Sequence, residues 1–149
     1  MIQKKIIPDI VQRLNIASVK LDETVFECAK VMADAQISAL VVVDDNQILI
    51  GIITERDLTQ RIVAAGLDGK GTKVGDVMTA NPDILAPDDS ATDALELMQT
   101  RGYRHLPVVE DGKCVSIVSI RDLYTSAKEA LEQDVKDTEA FVFGDRYGA

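Results

Sequence analysis

The chain has no tryptophan and only 4% aromatic residues, so its core must be built from aliphatic side chains rather than from packed rings. Two cysteines, Cys28 and Cys114, lie far apart in apolar periodic contexts; this favours two buried reduced thiols over a disulfide framework. With His105 the only histidine, a structural zinc site lacks its soft ligands and no two-histidine acid–base pair can form. The sequence carries no nucleophile elbow, no Walker loop and no metal-ligand cluster, so catalysis and a catalytic cofactor are not expected. No apolar run reaches about 18 residues, and the opening MIQKKIIPDIVQRL is interrupted by Pro8 and Asp9, unlike a secretory leader. Basic charge is also short. The 16 Lys and Arg against 25 Asp and Glu leave a net charge of −9, a field that opposes a nucleic-acid backbone or an anionic membrane. The expectation is a cytoplasmic protein with no nucleic-acid or membrane partner.

Against these absences stands a duplication. Residues 37–58 read ISALVVVDDNQILIGIITERDL and residues 103–124 read YRHLPVVEDGKCVSIVSIRDLY. In each, an apolar run, an acidic turn and a second apolar run precede a hydroxyl residue, two further residues, Asp and Leu. Met32 and Met98, like Leu40 and Leu106, stand 66 residues apart, whereas Asp57 and Asp122 stand 65 apart. The single indel falls in the turn between the two runs, where a hairpin tolerates it. Two small units that share one body follow, since either copy alone would be marginal in size.

The local pattern predicts residues 1–15 as a lead-in with a short helix beginning near Pro8, residues 16–70 as the first copy, residues 71–134 as the second and residues 135–149 as a tail. Within the first copy, an extended piece at residues 16–19 precedes a helix with Asp22 as N-cap and Val25, Cys28, Ala29 and Met32 on its buried face. Residues 39–43 and 48–53 are short, β-branched runs and read as strands. A helix over residues 56–65 stops at Gly66, and the glycine-rich residues 66–71 link the copies. In the second copy Ser90 and Asp93 form a capping box ahead of Ala91, Ala94, Leu95 and Met98, and Gly102 ends the helix. Strands over residues 106–109 and 114–118 and a helix over residues 121–132 close the unit. The tail, with Phe141, Val142, Phe143 and Tyr147, either frays or docks on the body or on a partner subunit.

The repeated Thr54-Glu55-Arg56-Asp57-Leu58 and Ser119-Ile120-Arg121-Asp122-Leu123 carry the chemistry. A hydroxyl followed three residues later by Asp caps helices without any ligand, and capping alone explains one such motif. Its recurrence at strand ends in both copies, each time with Arg beside the Asp, points further. A hydroxyl, a carboxylate and a guanidinium at a helix N-terminus suit a ribose diol and a phosphate. The turn carboxylates Asp44, Asp45, Glu110 and Asp111 are explained by turn chemistry and solvation, not by metal binding.

Val-Met-Thr ahead of the second copy, His-Leu-Pro-Val-Val-Glu, and the twice-occurring strand-(Thr/Ser)-x-Arg-Asp-Leu-helix together resemble a tandem pair of cystathionine-β-synthase (CBS) domains. This adenosine-nucleotide-sensing Bateman module would cover residues 16–133. The resemblance implies an α+β fold of two β-α-β-β-α units about a pseudo-twofold axis, with two clefts between them. It implies that Asp57 and Asp122 hold ribose hydroxyls, that Thr54 and Ser119 assist, and that Arg56 and Arg121 reach phosphate. Adenine would lie near Ile37 and Ser38 in one cleft and near Tyr103 and Arg104 in the other. His105 is read either as a packed, hydrogen-bonding residue or as a phosphate contact. The Ser119 cleft, with Arg104, His105 and Arg121 as three cationic groups, is expected to be the tighter. The implied ligand is an adenine nucleotide, AMP foremost, with ADP, ATP, NAD(H) and S-adenosylmethionine sharing the adenosine. A homodimer and an effector protein receiving the signal are expected as partners. The rival reading is a structural interaction module with vestigial clefts.

Overall fold

The computed structural model describes the backbone of residues 4–147 and the side chains of residues 4–142. Two apolar clusters form its core, one for each copy. Strand β1 (Ser18–Val19) runs parallel to β2 (Ala39–Val43), which pairs antiparallel with β3 (Leu49–Thr54); β3 then pairs antiparallel with the short β4 (Thr79–Ala80). In the second copy β5 (His105–Glu110) and β6 (Lys113–Ser119) form an antiparallel pair, and the counterpart of β1 shrinks to a parallel bridge between Leu85 and Val108. Val19 and Leu85, like Val42 and Val108, are related by the same 66-residue offset as the sequence repeat.

The indel lies where the turn was expected. Asp111 and Gly112 both have positive φ and make a two-residue turn between the paired Glu110 and Lys113. The longer first turn is organised by Asp44, whose Oδ1 accepts from the N–H groups of Asn46 and Ile48 at 2.8 and 3.0 Å. Both hairpins carry a register shift at the same place, between Val42 and Val43 and between Val108 and Val109.

Helix α1 (Val25–Ala35) buries Val25, Cys28 and Met32, and α4 (Ala91–Arg101) buries Ala94 and Met98. The N-cap of α1 is Thr24 rather than the expected Asp22: its hydroxyl accepts from Glu27 N–H at 3.2 Å. Ser90 caps α4 in the same manner at 3.0 Å, but Asp93 does not return a bond to Ser90 N–H, so the expected capping box is only half made; Ser90 stands 66 residues from Thr24, so the repeat itself marks the cap. Both helices end in the left-handed region, at Gln36 and at Gly102. The helix after β3 begins at Glu55 as α2 (Glu55–Asp57), and it widens into a π-helical stretch over Leu58–Val63. Gly66, with φ of 74°, follows it as expected.

The two lead-in segments are exchanged. Ile6 and Ile7 pack in the cluster of the second copy with Leu85, Met98, Leu106 and Val118, and their N–H groups bond to Asp89 and Pro87 carbonyls at 2.8 and 2.9 Å. Val74 and Val77 of α3 (Val74–Val77) pack in the cluster of the first copy, and Val74 N–H bonds to Glu23 O at 2.9 Å. The segment ahead of each copy therefore completes the other one, which ties the halves into one body. The helix expected near Pro8 does not form: Ile7 is extended, with φ −116° and ψ 127°, and residues 6–11 make an irregular turn closed by Val11 N–H to Ile6 O at 3.0 Å.

The closing helix departs most from expectation. It does not stop near Glu132: α5 runs over Ile120–Tyr147, taking most of the tail with it. Leu123 is buried against the body, whereas residues 131–142 are exposed on every side. The expected docking of Phe143 and Tyr147 falls on side chains outside the described residues.

Ile6 is fully buried in the second cluster although it precedes the first copy. Ile6→Ala is expected to destabilise the protein by about 2–5 kcal/mol, comparable to Leu106→Ala in the same cluster. Urea unfolding checks this, and a loss below about 1 kcal/mol would show that the exchanged segment contributes little.

Candidate functional site

β3 and β6 each end in a hydroxyl residue that turns the chain directly into a helix. Thr54 Oγ1 accepts from Asp57 N–H at 3.2 Å while Asp57 Oδ2 accepts from Thr54 N–H at 2.9 Å. The same reciprocal pair joins Ser119 and Asp122, at 3.1 and 2.8 Å. Capping therefore occurs in both motifs, and it employs only one oxygen of each carboxylate.

The remaining oxygens differ. Asp57 Oδ1 lies 3.6 Å from Arg61 Nε, one helical turn on. The residue in the place of Arg61 in the second copy is Ser126, whose hydroxyl accepts from Lys4 Nζ at 2.9 Å. Among the described residues no cation lies within ion-pair distance of Asp122. Asp57 is thus partly neutralised within its own helix, and Asp122 presents its second oxygen unpaired.

All eleven residues singled out in the sequence line one continuous cleft of about 1130 Å³ between the copies: Ile37, Ser38, Thr54, Arg56, Asp57, Tyr103, Arg104, His105, Ser119, Arg121 and Asp122. The halves meet at its centre, where Ser38 Oγ and His105 Nε2 lie 2.8 Å apart, and Arg56 Nη1 donates to Gly102 O at 3.1 Å. Arg104 and Arg121 are exposed at the cleft, while Thr54, Asp57, Ser119 and Asp122 are half-buried.

His105 does not act as a third cation. Burial and then the neighbouring Arg104 push its pKa below the ordinary 6.5, against the opposite pull of Asp122 and Glu55. At neutral pH the ring is uncharged and serves as the hydrogen-bond partner of Ser38, so the cationic set of the Ser119 half is Arg104 and Arg121. The thiols are inert for the same physical reason. Burial, followed by Glu23 and Glu27, pushes Cys28 up to about 11, and burial pushes Cys114 up to about 11. Cys28 is buried as expected, but Cys114 is only half-buried.

Sequence reasoning missed Ile16, Ala17, Pro82 and Asp83, which also line the cleft, and Arg61, which faces Asp57. The first four were within reach: Ile16 and Pro82 are one repeat apart. Bonds to equivalent strand positions also hold the segments just before them, Leu14 N–H to Val115 O at 2.9 Å and Asn81 N–H to Ile50 O at 3.1 Å.

Two strand-helix units that share a cleft and exchange their lead-in segments define a paired-module architecture, and comparison with known proteins agrees. The profile described as "CBS domain" matches residues 8–64 and 74–129, and the chain belongs to this family. It is 35% identical over 127 residues to the Arabidopsis thaliana mitochondrial CBS domain-containing protein CBSX3, covering 83% of this chain and 62% of that one. It is 36% identical to the Arabidopsis thaliana CBS domain-containing protein CBSCBSPB5, of whose length it spans only 21%. Among solved structures, a putative signal-transduction protein with CBS domains from Burkholderia ambifaria has a TM-score of 0.71 at 36% identity, covering 76% of this chain and 82% of that one. CBSX2 in complex with AMP has a TM-score of 0.67 at 25% identity, covering 77% of this chain and 90% of that one. Among the described residues no helix is long and apolar enough to cross a membrane.

The neutral His105 gives stability a pH dependence of known sign. Its folded-state pKa is lowered, so the unfolded chain takes up the proton first. The stabilising difference is complete above 6.5 and is lost as pH falls through that value toward the lower folded-state one. Melting temperature is expected to fall between about pH 7 and 5.5, and His105→Gln is expected to flatten that slope. An unchanged slope in the variant would assign the dependence to other groups.

Proposed function

We propose that the cleft binds an adenosine nucleotide, AMP foremost, and that the protein is a regulatory module rather than an enzyme. The observation that carries this reading is the unpaired Oδ1 of Asp122 in a cleft between the two copies that Arg104 and Arg121 also line. A carboxylate oxygen fixed by its capping partner is placed to accept from a ribose diol, and the two guanidinium groups suit a phosphate. Asp57, Thr54 and Arg56 make the corresponding set in the first half, with Ile37–Ser38 and Tyr103–Arg104 as the adenine-facing segments. The AMP complex of the similar CBSX2 supports the ligand class. ADP, ATP, NAD(H) and S-adenosylmethionine present the same adenosine, and the phosphate count decides among them.

The halves are unequal in this reading. Asp57 already faces Arg61, and Arg56 spends a donor on Gly102 O, so the first half offers the ligand less than the Ser119 half does. Self-association as a homodimer, and contact with an effector protein, would carry the signal out of the cleft.

Titration calorimetry with AMP and with adenosine tests the assignment. Asp122→Asn keeps an acceptor for Ser119 N–H, so the cap persists while the charge is lost. Its AMP affinity is expected to fall at least tenfold, about 1.5–3 kcal/mol, with a nearly unchanged melting temperature. Asp122→Ala is expected to lose a further ~1 kcal/mol of stability with the cap. Asp57→Asn should cost less affinity than Asp122→Asn, and AMP should exceed adenosine by a margin that shrinks as salt rises. Equal binding of AMP and adenosine would remove Arg104 and Arg121 from the phosphate role, and unchanged binding in Asp122→Asn would reduce the motif to a helix cap.

A further inference from the structure

The outer part of α5 carries an apolar stripe that the body does not use. Leu123, Ser126 and Ala130 face the body, and Tyr124, Leu131, Val135 and Val142 lie on the opposite side, from 49% to 66% exposed. At roughly 100° per residue these four fall within about 40° of one line, which extends for about 27 Å. A projecting helix with such a stripe is marginal in water until the stripe is covered. The matched family profile ends at residue 129, so most of the stripe is an addition of this chain to the module.

The order of residues along the stripe specifies its occupant. Tyr124 and Val142 are equally distant from Gln133, and so are Leu131 and Val135. A second copy of the helix laid antiparallel about Gln133 sets each Leu131 against a Val135 and each Tyr124 against a Val142. Lys128, the one charged residue between Tyr124 and Leu131 on this line, then meets Thr138 of the other copy with Glu139 beside it. A parallel arrangement would instead face Lys128 with its own copy and bring Asp134 beside Glu139, like charge against like. It would also crowd two bodies at one end, whereas the antiparallel pair holds them at opposite ends.

We infer that α5 is the dimerisation element of this protein, pairing with a second copy as an antiparallel two-helix seam. The inference rests on the self-association reading and is independent of the ligand. Glu132 and Asp134 approach their own copies near the axis in this arrangement, so the contact is held by its apolar seam and weakened by those acids. Raising salt from low to moderate concentration should therefore leave it intact or strengthen it.

Sedimentation equilibrium of the full chain, with circular dichroism to confirm retained helix, tests the seam. Leu131→Glu with Val135→Glu, both exposed positions that accept a good helix former, is expected to raise the dimer dissociation constant at least about a hundredfold. Lys128→Glu alone is expected to raise it about tenfold, and adding Glu139→Lys to restore it to within about threefold. Lys128 and Glu139 are too far apart on one helix to touch, so that rescue requires contact between copies. A dimer unmoved by the Leu131 and Val135 substitutions would overturn the seam and leave self-association to another surface. A well-folded monomer at all concentrations would overturn the seam and the self-association reading together, passing the stripe to a heterologous helix with basic flanks.

Discussion

The reciprocal bond between a strand-end hydroxyl and the Asp three residues later is the constraint on which the cleft depends. At Thr54–Asp57 and again at Ser119–Asp122, the strand passes into a helix with no intervening loop, so the position of the carboxylate is set by the sheet itself. A longer connection would leave the acid on a mobile loop and would cost entropy whenever a ligand ordered it. Structural and ligand-binding readings of the motif are therefore not alternatives. The cap occupies one oxygen, and by doing so it orients the other.

The exchange of lead-in segments explains why the two motifs face each other across one cavity. Ile6 and Ile7 complete the second cluster, and Val74 and Val77 complete the first, so neither copy closes its core without the chain that precedes the other. The rigid relation between copies rests on this packing and on strand-like bonds such as Ile6 N–H to Asp89 O and Val74 N–H to Glu23 O. The Ser38–His105 bond then joins halves that are already fixed. Burial keeps His105 uncharged at neutral pH, which spares the centre of the cleft a third positive charge beside Arg104 and Arg121.

Much of this was legible in the duplication. Because the main elements occur twice at a near-constant offset, one ambiguous segment could be read with the help of the other, which gives the hairpins and the indel; the residues singled out by the motifs line one cleft. What was lost depended on information that a repeat does not contain. Acidic residues suit helix starts and so favour Asp22 as the N-cap, yet the hydroxyl of Thr24 meets Glu27 N–H and Glu23 turns back to Lys20 N–H. The exchange of segments is invisible in the sequence, since sequence order says nothing about which copy a strand completes. The continuation of α5 was missed because residues 133–142 have few apolar positions, and their spacing along one face emerges only once the helix is taken unbroken past Glu132.

The copies diverge in a consistent direction. After Asp57 the first helix widens into π-helical turns, stops before Gly66 and ties its acid to Arg61. After Asp122 the second helix keeps α geometry for the rest of its length and leaves its acid unpaired. Duplication permits this divergence, since the two copies share the packing that holds the core while their acids come to differ in partners. A helix that begins at a half-buried carboxylate and ends with an uncovered apolar face joins two surfaces of different character through a single rigid element. Whether occupancy at one end matters at the other depends on a difference in contact between two states, and a continuous hydrogen-bonded helix is the shortest physical path along which such a difference would be felt.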